Sequence, residues 1–219
     1  MVMRLALSIF FLFLCSVTQA QDLSSDWEVE AESPASHLSF FTDSIEIFTP
    51  AGLTLWRKQP FRAPFMMEYE AMVVVKDSTD RLSDLNCFFL ATDPSVSGGS
   101  VLERIDERGG VFANCSQMQL YYVGYGGNWN TTTRFRRYNG KPNPPLLQEY
   151  TDSAHLLQPN QWYHIRIEAN GSRVRYYINE ELLFDYTDLQ PLQFGWFGFR
   201  TTWSHCLIRN FSLNPLDEK

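Results

Sequence analysis

From Trp27 onward the chain is cut into short apolar segments rich in Val, Ile, Phe, Tyr and Trp, each bounded by Gly, Pro, Asn or Asp. No stretch repeats apolar residues at helical spacing for long enough to build an amphipathic helix, so the chain must bury its apolar surface between strands. The segments expected as strands are Leu38–Phe41, Ile45–Phe48, Leu53–Trp56, Phe65–Val75, Asn86–Ala91, Met118–Tyr125, Asn130–Tyr138, Trp162–Glu168, Arg173–Ile178, Leu182–Tyr186, Phe194–Arg200 and Cys206–Leu213. That many strands without helices implies two packed antiparallel sheets, an all-β sandwich. The clearest signal is Trp162–Tyr186. There Tyr163, Ile165 and Ile167 alternate with polar neighbours, Asn170-Gly171 turns the chain, and Asn179-Glu180 turns it again.

The first twenty residues differ in kind. A basic Arg4, an apolar run from Leu5 to Leu14 and a polar stretch ending in Ala20 read as a secretory signal peptide. The run is shorter than the roughly 20 apolar residues of a membrane span, so no membrane span is expected. Cys15 invites lipid attachment, but the bulky Leu14 disfavours it, and cleavage after Ala20 leaves one domain, Gln21–Lys219. A net charge of −7 argues against nucleic acid as a partner. Cys87, Cys115 and Cys206 are too few and too widely spaced to encode a disulfide framework and read as small buried residues. No histidine shares a ligand-like spacing with a second histidine or cysteine, so no metal or other cofactor is expected; no D-x-D-x-D loop places a structural calcium.

The ending W-Y-H-I-R-I-E-x-N-G-x-R-V-x-Y-Y, then L-F-D-Y, G-W-F-G-F-R and I-R-N-F-S-L, resembles the C-terminal meander of concanavalin-like (laminin-G-like) jelly rolls. With N-C-F-F-L-A-T-D-P at Asn86–Pro94, L-Y-Y-V-G-Y-G-G-N-W-N-T-T-T-R-F-R-R-Y at Leu120–Tyr138 and E-Y-T-D at Glu149–Asp152, the chain is similar to a family of secreted bacterial proteins whose genes sit among those for polysaccharide breakdown. The resemblance implies a jelly-roll β-sandwich, a carbohydrate partner and a periplasmic or extracellular location. It supplies no catalytic residues, and a fold does not fix a function.

The chemistry is concentrated in Gln117–Tyr138. With a two-residue loop at Gly126-Gly127, Tyr125 pairs with Asn128, Val123 with Asn130, Tyr121 with Thr132 and Gln119 with Arg134. In that register Met118, Leu120, Tyr122, Trp129 and Phe135 face the core. Gln119, Tyr121, Tyr125, Asn128, Asn130, Arg134, Arg136 and Tyr138 share the opposite face, a mixture of amides, phenols and guanidinium groups suited to sugar. The two arginines suit an acidic polysaccharide or oligosaccharide. The favoured reading is a polysaccharide lyase, with Arg134 neutralising a uronate and Tyr138, Tyr125 or the loop residue His155 acting as base or acid, and with Gln119, Tyr121, Asn128, Asn130 and Arg136 holding substrate. A hydrolase comes second, because Glu103 and Glu107 share a face only if Leu102–Arg108 is a strand, and they depart from the E-x-D-x-x-E motif of retaining glucanases of this fold. The alternatives are a non-catalytic carbohydrate-binding module and a plainly solvated hairpin face. Arg200, Trp203 and His205 bracket an expected turn between the last two strands and edge a groove or close the sandwich end.

Overall fold

In the computed structural model, which describes residues 23–216, side chains alternate between core and solvent along most strands. In β5 (Phe65–Val73) and β10 (Tyr163–Asn170) every second residue is buried, so Tyr69, Ile165 and Ile167 turn inward while Glu68, His164 and Arg166 turn outward. β10 joins β11 (Arg173–Ile178) through a tight turn, and β11 joins β12 (Glu181–Thr187) through Asn179-Glu180, both at positive φ. All strand pairings are antiparallel.

Among the described residues thirteen strands form the jelly roll, and two of them belong to both of its sheets. β3 (Ser44–Arg57) and β13 (Phe194–Pro215) pair along nearly their whole lengths. Their outer ends part company: the C-terminal half of β13 pairs with β5, whereas its N-terminal half pairs with β6 (Leu85–Thr92). Likewise the first half of β3 takes β2 (His37–Phe40) and the second half β1 (Trp27–Ala31). One sheet therefore runs β12, β11, β10, β5, β13, β3, β2. The other runs β9 (Leu146–Tyr150), β8 (Thr132–Asn139), β7 (Gln119–Gly126), β6, β13, β3, β1. A two-residue strand, β4 (Phe61–Arg62), flanks the start of β13. The central core lies between the sheets, with Tyr69, Ile165, Ile167 and Tyr176 meeting Phe89, Tyr121, Val123 and Phe135.

The expected turn between the last two strands does not exist. Phe194–Pro215 is continuous, and Arg200, Trp203 and His205 lie along it. A bulge between Thr202 and Ser204 bends the strand from one sheet into the other, which is how a long strand serves two layers. The two segments expected around Pro50 are likewise one strand, β3. Strands β1, β4 and β9 were not expected. β9 follows the proline-rich 142–145 segment at a sheet edge, where proline is tolerated and the apolar pattern is weak.

A second, smaller core sits on the outer face of the β6–β8 sheet, where Trp56, Phe88, Leu120, Tyr122, Tyr138 and Trp196 are roofed by Val101, Cys115 and Met118 from the 97–118 excursion. Leu102–Arg108, read above as a strand if Glu103 and Glu107 were to act together, folds as short helical turns. Glu103 is not aligned on a strand face, and Glu107 pairs with Arg104. The excursion is anchored by Arg108, whose buried guanidinium donates to Glu30 Oε2 at 2.6 and 3.1 Å, the oxygen that also accepts from Trp56 Nε1 at 2.9 Å. Cys87, Cys115 and Cys206 are free and buried, and burial pushes their thiols up to about 12, 11 and 12, which leaves them unreactive. The signal-peptide segment lies outside the described residues. No helix among those described is long and apolar enough to cross a membrane, which leaves β-barrels aside.

Candidate functional site

Strand register builds the site. Arg200, Asn86, Gly124 and Arg134 are successive partners across β13, β6, β7 and β8, and Phe88, Tyr122 and Arg136 form the next row but one. Leu120 and Tyr138 extend it. Directly opposed residues share a face, so these side chains stand together on the outer side of the sheet, beside the second core. Gly124 keeps the floor open. A Cβ there would lie 2.5 Å from the Tyr122 hydroxyl, so only glycine lets the phenol lie flat across the row.

The result is a groove of about 510 Å³, within the size of small-ligand sites. Phe112, from the excursion, stacks on Phe88, packs at a tilt against Tyr122 and forms one wall. Asn143 and Pro144 form another, and Arg81, Asp84 and Asn128 line the remaining rim.

Cations dominate its charge. Arg200 is fully engaged beneath the groove, donating to Gly110 O at 2.6 Å and to Thr54 Oγ1 at 3.3 Å, and burial holds its pKa below the usual arginine value. Arg134 is paired with Glu149. Asp84 accepts from Arg81 at 2.5 Å and from Asn86 at 3.0 Å. Arg136 donates to Pro144 O at 2.8 Å and pairs with no carboxylate among the described residues. Its remaining N–H groups are available to a ligand.

Burial raises both phenols of the groove. Tyr138 is pushed up to about 12, with Cys115 adding to the rise and Arg136 and Arg200 opposing it. Tyr122 is pushed higher still by burial and then by Asp84. Both keep their protons at neutral pH, so each hydroxyl is able to donate a hydrogen bond to a ligand. Neither has the depressed pKa that a phenolic base would need.

The two-residue loop assumed from sequence is wrong, and its error has a defined size. Gly127 bridges Thr132, a left-handed turn with positive φ at Asn128, Trp129 and Asn130 lies between, and Val123 faces Phe135 rather than Asn130. The shift is odd, so it swaps β8 relative to β7. Arg134, Arg136 and Tyr138 stand on the groove face, but Gln119, Tyr121 and Tyr125 do not join them. Tyr121 is buried in the central core and donates to Asp188 Oδ2 at 2.6 Å. Tyr125 packs edge-on against Tyr163, ring centres 5.1 Å apart, and Gln119 lies at the far end of the same inward face. Tyr122, expected in the core, takes their place.

The loop residues divide too. Asn128 lines the groove, whereas Asn130 is a latch, donating to Leu157 O and accepting from Leu157 N, both at 2.9 Å. His155 is not in the groove. It stacks on Tyr150 at 4.0 Å with Nδ1 2.8 Å from Asp152, beside a separate depression of about 400 Å³ that also meets Tyr125. Arg81, Asp84 and Asn86, which lie just before and within β6, were missed because that segment is distant in sequence from β8; Arg200, expected beside a turn at a groove edge, instead reaches the same row from within β13. Only the pairing of β6 with β7 and β13 brings them beside β8.

The turn has a further property. Trp129 adopts φ 60° and Trp203, in the β13 bulge, φ 42°. Such conformations cost of order 1–3 kcal/mol each for a bulky side chain.

Several solved structures share this architecture. A carbohydrate binding module, CBM66 from Bacillus subtilis, is 14% identical over 86% of this chain and 95% of its own, with a TM-score of 0.57. A protein of unknown function with a galectin-like fold, from the same organism, is 16% identical over 89% and 92%, with a TM-score of 0.67. The exoplasmic/lumenal domain of VIP36, in its Ca2+/Man3GlcNAc-bound form, is 12% identical over 90% and 86%, with a TM-score of 0.57. At these identities the likeness shows the fold. Comparison with proteins of curated function finds no match. A family model described as "Domain of unknown function (DUF6250)" matches residues 47–211, which include every groove residue named above, and the chain belongs to that family.

Proposed function

We propose that the protein binds an acidic glycan in the groove between Phe112 and Pro144. The observation that carries the reading is Arg136, a cation on the groove floor with no carboxylate partner among the described residues, directly opposite the protonated phenol of Tyr122. A uronate or sulfate offers the planar or clustered oxygens a guanidinium recognises, and the exposed ring of Phe112 supplies apolar surface for the sugar face. The jelly-roll architecture accords with this, since similar folds include a carbohydrate binding module and a domain in a Man3GlcNAc-bound form. The sequence of residues 1–20 supports action outside the cytoplasm.

Binding without cleavage is the form the groove supports best. Hydrolysis needs two carboxyl groups across the bond. Among the described groove residues Asp84 alone supplies one, and it is tied to Arg81 and Asn86. A lyase needs a base beside the neutralised uronate, and Tyr122 and Tyr138 hold their protons while His155 lies elsewhere.

The test is affinity electrophoresis of the purified chain through a panel of uronic, sulfated and neutral glycans, with ultraviolet absorbance of unsaturated uronate and reducing ends followed in parallel. Retardation by acidic glycans, lost in Arg136→Ala, with both chemical channels silent, is the expected result. Rising absorbance would replace binding by elimination. Retardation by neutral glycans alone would remove the acidic specificity.

A further inference from the structure

At the turn end of β7–β8, Trp129 and Trp203 meet edge to face, ring centres 5.4 Å apart, although they are far apart in sequence. Both stay well exposed, at 61% and 48%. A tryptophan that closes a sandwich end would bury its indole. These two do the reverse, since each sits on left-handed backbone that disfavours a large side chain and neither recovers the strain by burial.

Arg81 joins them to the groove. Its guanidinium lies 4.8 Å over the Trp129 ring, donates to the Thr202 carbonyl next to Trp203, and pairs with the groove residue Asp84. Asn128 and Thr202, each immediately preceding a tryptophan, line the groove itself. The floor continues along β8 from Thr132 to Tyr138, roughly 20 Å at strand rise, long enough for several sugar units end to end.

We propose that Trp129 and Trp203 form an aromatic end subsite that stacks on a pyranose ring of an oligosaccharide whose acidic group is held at Arg136. The proposal rests on the glycan-binding reading and adds to it a chain-length requirement. Indole faces take the apolar face of a sugar without needing its charge, and Asn128 beside them takes hydroxyls. The backbone strain is explained by this role, because it holds the rings out of the core.

The experiment is calorimetric titration of oligogalacturonides and chondroitin sulfate fragments, each as a ladder of increasing length, into the intact protein, Trp203→Ala and Trp129→Gly. The glycine variant suits the left-handed backbone, so its fold should melt no lower than that of the intact chain. The expected result is an affinity in the intact protein that climbs with length and then levels. In both variants that climb is lost, about tenfold at the longest fragments, while the shortest are weakened much less. Equal weakening at every length, or a lower melting point for Trp129→Gly, would overturn the subsite and make the rings a brace. An unchanged ladder would overturn it as well. If the intact chain binds neither ladder, the acidic-glycan reading falls and the subsite with it, an outcome visible before any tryptophan is changed.

Discussion

On the outer face of β5, β10, β11 and β12, charges are spent on one another. Glu68, His164, Glu180, Arg166, Glu168 and Arg175 form a chain of pairs at 2.9–3.6 Å, Arg209 pairs with Glu70, and Arg173 with Asp185. On the outer face of β6–β8, arginines outnumber carboxylates, aromatic rings interleave with them, and a 22-residue excursion raises a wall. The first is what an ordinary wet sheet face becomes when both signs alternate. Among the described residues the second has, in Arg136, a cation with no carboxylate partner and a recess to use it in, while Arg200, also without a carboxylate, is committed to carbonyl and hydroxyl oxygens beneath it. Surface composition alone does not separate the two, since both carry tyrosine and arginine. What separates them is whether each charge already has its partner.

Removing the wall is the most severe way to break the contrast. Glu30→Ala leaves Arg108 buried without its carboxylate, and Asp93, 3.6 Å from its Nη1, is too distant to replace two short bonds. Truncating one partner of a buried ion pair costs about 3–5 kcal/mol. Chemical denaturation should show a loss of that order, and any residual fold should lose glycan binding because Phe112 is no longer held. A loss below about 1 kcal/mol would mean that the excursion stands without its anchor.

Arg136→Ala tests the leftover cation directly. A charged hydrogen bond to ligand is worth about 1.5–3 kcal/mol, so binding should fall roughly tenfold to a hundredfold with little change in melting temperature. Arg134→Ala should cost less, because Arg134 shares itself with Glu149. If the order reverses, the paired arginine is the one that opens to substrate.

The sandwich itself was readable because alternation in segments such as Tyr163–Asn170 is a local property, and buried residues there repeat every second position. The groove was only half readable, for a reason located in four residues. Arg134, Arg136 and Tyr138 lie on one strand and keep their parity whatever the neighbouring strand does. Tyr121, Tyr122 and Tyr125 lie on the partner, and their sidedness depended on the length of the loop at Gly127–Asn130. Glycines 126 and 127 suggested a tight turn, whereas three consecutive non-glycine residues at positive φ make the loop longer. Nothing in Asn128-Trp129-Asn130 advertises that conformation beyond the two asparagines, which tolerate it better than most residues. Long-range pairing hid the rest: Arg200 reaches Arg134 only through Asn86 and Gly124.

Alkali sharpens the contrast from the side of the phenols. Tyr138 has its pKa raised from 10.0 to about 12 by burial first, so the folded chain holds a proton that the unfolded chain has released. For a group raised on folding, its contribution is complete below pH 10 and is lost as pH climbs from 10 to about 12. Melting temperature should therefore fall across that interval, and Tyr138→Phe should flatten part of the fall without altering stability near neutrality by more than its lost hydroxyl contacts. An unchanged slope would assign the alkaline loss to the deeper tyrosines, such as Tyr69 and Tyr176, whose pKa values burial also raises.

The smallest effect belongs to the other face, and its smallness is what gives it value. Arg175 lies 3.3 Å from Glu168 and hydrogen-bonds the Tyr177 hydroxyl at 3.0 Å. It is partly exposed, so the pair is screened by solvent and salt. Arg175→Ala should cost about 0–1 kcal/mol in stability, less in high salt, and should leave glycan affinity where it was. Arginine is a strong general attractor of polyanions, so an acidic glycan held by overall charge would weaken alike for Arg175→Ala and Arg136→Ala. Equal weakening would dissolve the distinction between the faces. Unequal weakening, with the same net charge removed each time, would locate recognition at the arginine whose carboxylate partner the fold leaves out.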